Sequence, residues 1–192
     1  MKTTPVDSAT PLEFCNAVPV PVRAFAQQLV ERRQLAAPVE LTGVPSEQQD
    51  AKMFLGDALQ ALGGHPGFDE CLEFVAYWAE RFGYETDASE LSVRLVHSRR
   101  PTCPRFHMDN VSLRLISTLM GPGSEWLRAE DVRYLEDCSI SQNPRAEDIQ
   151  RMDSYSVGMF PGKKNALGYP GVVHRSPQAM VDRLVMTMDL VA

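Results

Sequence analysis

The chain has 192 residues, 44% apolar and 23% charged, the composition of a folded globular domain, which excludes a disordered or fibrous chain. Its 19 Lys and Arg against 25 Asp and Glu leave a net charge of -6, so a nucleic-acid partner is not expected and a small-molecule substrate is. No stretch approaches the roughly 20 consecutive apolar residues of a membrane span, and Met1-Lys2-Thr3-Thr4-Pro5 lacks a signal-peptide core, so a cytoplasmic protein is expected.

Apolar residues first recur at helical spacing as Val22, Phe25, Leu29 and Val30, which predicts an amphipathic helix stopping before Pro38. Ser46 and Gln49 stand at capping-box spacing and predict a second helix through Phe54, Leu55, Leu59 and Leu62 to Gly63-Gly64. A third carries Phe68, Leu72, Val75, Trp78, Ala79 and Phe82 and is expected to end at Gly83 as a left-handed cap. Residues 1–88 therefore read as a mainly helical support region.

The period then changes to two, with Leu91-Val93-Leu95, the odd positions from Val111 to Leu119, Tyr155-Val157-Met159 and Leu184-Met186-Met188 reading as strands. Turns at Pro101, Pro104, Gly121-Pro122-Gly123, Pro161-Gly162 and Tyr169-Pro170-Gly171 separate them, as in a β-sandwich or barrel. Residues 139–154 are polar, with a short helix expected over 146–152, and read as an excursion able to serve as a lid or substrate loop. The chain is thus α+β, with N-terminal helices packed on a β core over 89–192 in one compact unit.

The four histidines and four cysteines make a short list of metal ligands, and no C-x-x-C pair points to a disulfide scaffold or a cysteine-type zinc finger. His107 and Asp109 stand at i and i+2, which on an extended strand aims an imidazole and a carboxylate the same way. His174 from a neighbouring strand would complete two histidines and one carboxylate on one face, a set that suits Fe(II) and leaves positions open for oxygen and a chelating co-substrate. Arg183, nine residues beyond His174, is placed to hold a carboxylate through a charge-assisted pair.

These residues resemble the double-stranded β-helix oxygenases that use Fe(II) and 2-oxoglutarate. The resemblance rests on H-M-D at 107–109, R-L-I-S-T-L at 114–119, G-P-G-S-E-W-L at 121–127, V-V-H-R-S-P at 172–177 and R-L-V-M-T-M-D at 183–189. More closely, H-M-D-N, G-P-G-S-E-W-L and H-R-S-P resemble a bacterial family of uncharacterised proteins, DUF1826. The oxygenase resemblance implies a jelly-roll or cupin-like core over 89–192, with His107, Asp109 and His174 as iron ligands. It implies Arg183 as the binder of the distal carboxylate of 2-oxoglutarate. The departure is Val185, where many such enzymes place Ser or Thr two residues after the arginine.

Other readings of the same residues stay open at this level. Cys103, four residues before His107, is a candidate softer ligand that would turn the site toward zinc, and the alternative function is a non-catalytic metal-binding or zinc-handling protein of the same fold. Arg183 can instead serve a structural ion pair, with Asp189 a candidate partner, and Arg175 is a rival carboxylate binder. Arg94, His97, Arg99, Arg100 and Arg105 form a basic strip beside the site that reads first as a solvated strand face. Trp126 and Tyr155, beside turns, read as core, and His65 belongs to a helix junction.

Overall fold

The computed structural model describes residues 10–166 and 170–191; the N-terminal Met-Lys-Thr-Thr-Pro stretch and Tyr169 of the predicted turn lie outside the described residues. The chain opens with a short strand, β1 (Leu12–Phe14), and a helix, α1 (Val20–Glu31), followed by β2 (Val39–Pro45), α2 (Gln48–Ala58) and α3 (Phe68–Thr86). The remaining strands are β3 (Glu90–Ser98), β4 (Leu113–Met120), β5 (Glu125–Leu127), β6 (Ile149–Arg151), β7 (Val157–Pro161), β8 (Val173–Arg175) and β9 (Arg183–Leu190).

α1 starts where a proline in its first turn costs no hydrogen bond, and it buries Val22, Phe25, Ala26, Leu29 and Val30, the helical stripe legible in the sequence. The second and third helices depart from expectation at their ends. The cap of α2 is Glu47, with no side-chain capping bond, because Ser46 is drawn into the sheet, its N–H donating to Ser89 O at 2.9 Å. Gly83 does not end α3. The helix runs on to Thr86 and Asp87 takes the left-handed cap at φ 54°, while Gly83 lies where a Cβ would collide with the Ser46 side chain. The glycine there serves close packing of α3 against the entry to α2.

The major sheet is six-stranded in the order β1-β7-β4-β9-β3-β2, and the minor one three-stranded in the order β6-β5-β8. β1 and β2 therefore place strands inside the region expected to be mainly helical; both pair with distant segments and carry little local signal. The 146–152 helix is not formed: a 3-10 turn at Ala146–Asp148 leads into β6, which pairs antiparallel with β5.

Alternation on the central strands sorts residues to two faces. Leu115 and Leu119 of β4 and Leu184, Met186 and Met188 of β9 are buried with Phe25, Leu29, Leu72, Val75 and Phe82 of the helices in one apolar cluster. Each of these fully buried side chains contributes about 1.5–3 kcal/mol. Between the sheets lies a smaller cluster of Ile116, Met152, Phe160 and Val172, with Trp126 and Val185 against it. The helices thus brace the outside of the major sheet and leave the space between the sheets to side chains of opposite parity.

Candidate metal centre

His107 lies on no regular strand. It makes a single antiparallel bridge to His174 of β8, with His107 N–H donating to His174 O at 3.0 Å and His174 N–H to His107 O at 2.9 Å. The bridge extends the minor sheet by one residue, in the row Gln150, Trp126, His174, His107. The strand expected from Val111 begins only at Leu113, and the residues between are held by the turn after β7. There Gly162 N–H donates to Ser112 O, Lys163 N–H to Asp109 O and Lys164 N–H to Val111 O, at 2.8–3.0 Å. Gly162 permits this approach, because a Cβ there would collide with Val111 O.

The sequence-read triad converges. One ligand atom from each of His107, Asp109 and His174 lies within 4.8 Å of the others. His107 Nε2 is 3.5 Å from Asp109 Oδ1, and His174 Nε2 is 3.3 Å from Asp109 Oδ2. His107 Nδ1–H donates to Arg105 O at 2.9 Å and His174 Nδ1–H to Val172 O at 3.1 Å. Both imidazoles therefore turn an Nε2 lone pair to the shared centre, the tautomer that backbone acceptors impose on metal-binding histidines. Asp109 Oδ2 is buried and, among the described residues, has no hydrogen-bond partner. Lone pairs facing one another in a buried site are repulsive until a cation lies among them, so the donor set fits a divalent metal.

Without a metal, protons at Nε2 take the cation's place: burial opposes ionisation of Asp109, but imidazoles donating to it and the Arg114 guanidinium outweigh burial and hold the carboxyl well below the usual carboxylate range. Contact with Asp109 raises the proton affinity of His107 against the effect of burial. The side chains of His174 and Asp109 are 7% and 10% exposed and that of His107 is 35% exposed, so the centre opens on the His107 side. The Phe160 ring packs 5.0 Å from His174 and dries the inner side.

Arg183 lies apart from the triad, at the start of β9. It donates to Pro122 O at 2.8 Å, to Ser124 Oγ at 2.9 Å and to Thr118 Oγ1 at 3.4 Å. Among the described residues its partners are neutral oxygens, and burial pushes it down to about 10. It lines a small cavity with Ser176, Thr102, Pro122 and Val185. The structural ion pair with Asp189 is not made, because Asp189 takes the Arg114 fork at 2.7 Å through both oxygens. Arg175 is committed elsewhere, donating to Glu125 at 2.8 Å and stacking 4.1 Å over Phe106. Cys103 is exposed and stands outside the ligand group. On the basic strip, Arg94 pairs with Glu40, and His97 and Arg99 with Asp182. Trp126 packs between the sheets, and Arg23 stacks on Tyr155. Gln142, from the expected lid segment, brackets Phe106 through its backbone N–H and carbonyl and so braces the residue before His107.

Sequence reasoning missed Arg114 and gave Asp189 to Arg183 as a candidate partner, whereas Asp189 accepts from Arg114. Arg114 donates to Asp109 Oδ1 at 2.9 Å and couples it to β9.

A family model described as "Protein of unknown function (DUF1826)" matches residues 17–189. No curated protein matches the sequence. Among solved structures, the chain is similar to the dioxygenase for auxin oxidation of rice, with TM-score 0.52, 16% identity, and 95% of this chain and 73% of that one covered. It is also similar to a prolyl-4-hydroxylase of Pseudomonas putida, with TM-score 0.52, 12% identity, and 97% and 94% covered. The Arabidopsis thaliana auxin-oxidation dioxygenase in its 2-oxoglutarate complex gives TM-score 0.51, 10% identity, and 91% and 73% covered. At these identities the likeness establishes the fold, a double-stranded β-helix carrying N-terminal helices, as the sequence resemblance implied.

Proposed function

The chain belongs to the DUF1826 family, and since that membership carries no chemistry of its own, we propose from the site that it is an Fe(II)- and 2-oxoglutarate-dependent oxygenase of the hydroxylase type. The observation that carries this reading is the convergence of the His107 and His174 imidazoles on the Asp109 carboxylate, with both Nδ1 atoms tied to backbone carbonyls and Oδ2 without a hydrogen bond among the described residues. The three side chains would hold Fe(II), which with 2-oxoglutarate supplies oxidative decarboxylation of the co-substrate coupled to oxygen insertion into a substrate C–H bond.

The chain's own residues do the rest. Arg183, a cation with neutral partners only among the described residues, is suited to the distal carboxylate of 2-oxoglutarate. Where the family pattern has a hydroxyl two residues after the arginine, this chain has Val185, and the hydroxyls of Thr118 and Ser124 stand at the guanidinium instead. Phe160, Ile116 and Val185 exclude water between the sheets, and the exposed edge of His107 gives a small-molecule substrate access from solvent. Among the described residues no helix is long and apolar enough to cross a membrane.

Anaerobic titration of the apo-protein with Fe(II) and 2-oxoglutarate tests the reading. A weak visible charge-transfer band is expected, lost in His107→Ala. No band at saturation overturns it, and stoichiometric zinc without 2-oxoglutarate-dependent succinate release would favour the non-catalytic, metal-handling alternative.

A further inference from the structure

Arg114 uses its whole fork. Its Nε and Nη2 donate to the two carboxylate oxygens of Asp189, each at 2.7 Å, and its Nη1 donates to Asp109 Oδ1 at 2.9 Å. Arg114 and Asp189 stand one step beyond the Leu115–Met188 pair in the register of β4 with β9, so two central strands of the major sheet fix the guanidinium. The side chain of Arg114 is 26% exposed and that of Asp189 23%, so the pair is sheltered but not dry. A planar, bidentate anchor of this kind restricts a guanidinium more than any lysine could be restricted.

The division of labour at Asp109 follows. Oδ1 accepts from Arg114 and stands 3.5 Å from His107 Nε2, while Oδ2, 3.3 Å from His174 Nε2, is left without a hydrogen bond among the described residues. We infer that Arg114, anchored by Asp189, is a positioning residue that makes Asp109 offer a metal one oxygen in a fixed orientation. This rests on the metal-binding reading proposed above. With Oδ1 drawn to Arg114, chelation of one ion through both oxygens is disfavoured. A chelating carboxylate would occupy a position on the open face of the coordination sphere, where a two-toothed co-substrate has to enter. Outer partners of metal ligands commonly weaken metal affinity or activity by about 10–100-fold when removed.

The test is Co(II) binding to the apo-protein, followed by calorimetry and by its visible spectrum, in wild type, Arg114→Met, Arg114→Lys and Asp189→Asn, each checked for folding by circular dichroism. Arg114→Met is expected to bind Co(II) about 10–100-fold more weakly than wild type. Arg114→Lys should recover little of the loss, because an ammonium on a flexible stem cannot reproduce the planar two-pronged contact with Asp189. Asp189→Asn, which keeps the shape and removes the anchoring charge, should weaken binding several-fold and change the Co(II) spectrum. Should Arg114→Met fail to fold, Asp189→Asn carries the test. Wild-type Co(II) affinity and spectrum in a folded Arg114→Met, or in Asp189→Asn, would reduce Arg114 to a strand-to-strand tie and overturn the inference while leaving the metal site standing. Failure of the wild-type chain to bind Co(II) overturns both.

Discussion

His107 and His174 hold each other by the main chain: each N–H donates to the other's carbonyl, and their rings lie with centroids 4.7 Å apart. The spacing of two of the three proposed ligands is therefore set by a sheet hydrogen-bond pattern, with side-chain contacts only refining it.

The two histidines should separate in their effects on stability. His174 is packed against Phe160, so His174→Ala opens a hole between the sheets and is expected to cost about 1–3 kcal/mol in addition to metal binding. His107 is 35% exposed at its side chain, and His107→Ala should remove metal binding with a cost within about 1 kcal/mol. Urea unfolding in chelator separates the two; equal costs would contradict the placement of His174 in the interior.

Gly162→Ala should damage the site without altering a ligand. Its new Cβ would collide with Val111 O and come 2.9 Å from Asp109 O, on the segment that carries the carboxylate. A loss of about 1–3 kcal/mol is expected, with weaker Co(II) binding. A folded variant with unchanged affinity would show that the segment gives way elsewhere.

Helix propensity alone favours alanine over glycine within a helix by about 1 kcal/mol. At Gly83 the opposite sign is expected, because the added Cβ meets Ser46 Cβ and stands 3.0 Å from Ala88 O. A Gly83→Ala protein that melts at or above the wild-type temperature would refute this account of the α2–α3 contact.

The Asp109–His107 contact gives a defined pH window in chelator. Asp109 is held low in the folded protein, so its share of stability is present above the unfolded carboxylate value of about 4 and is lost as pH falls through the folded one. His107 is held high, so its share is present below the unfolded imidazole value of about 6.5 and is lost as pH rises through the folded one. The difference in unfolding free energy between wild type and Asp109→Asn should thus be greatest between about pH 4 and 6.5. A difference that falls neither below nor above that range would remove the pair from the account.

Thiol chemistry should divide the cysteines. Burial pushes Cys71 up to about 12, so at pH 8 the native protein presents no thiolate there, whereas Cys15, Cys103 and Cys138 are exposed. Native iodoacetamide labelling followed by mass spectrometry should modify the exposed thiols and spare Cys71. The neighbouring Glu13 and Asp153 carboxylates raise the Cys15 thiol, so it should react more slowly than an unperturbed one.

The three helices and four of the strands were legible because each rests on local periodicity, whereas the meeting of His107 and Asp109 with the distant His174 was implied by the family resemblance and not by spacing. β1, β2, β5, β6 and β8 were not legible, since strands this short or this far from their partners are specified by the neighbours they pair with. Arg114 and Asp189 left a trace that went unread. Each is a charged residue on the same parity as Ile116 and Thr118 or Val185 and Thr187, the side that faces away from the helices. A charge at such a position is costly unless it has a partner inside.

The His107–His174 bridge also carries a consequence for the order of assembly. Its two halves are distant in the chain, and the segment between them contains β4 and β7 of the major sheet and β5 and β6 of the minor one, so closing it depends on non-local pairings. A partly folded chain therefore lacks the complete set of proposed ligands. Metal capture and completion of the two sheets should proceed with one rate in refolding.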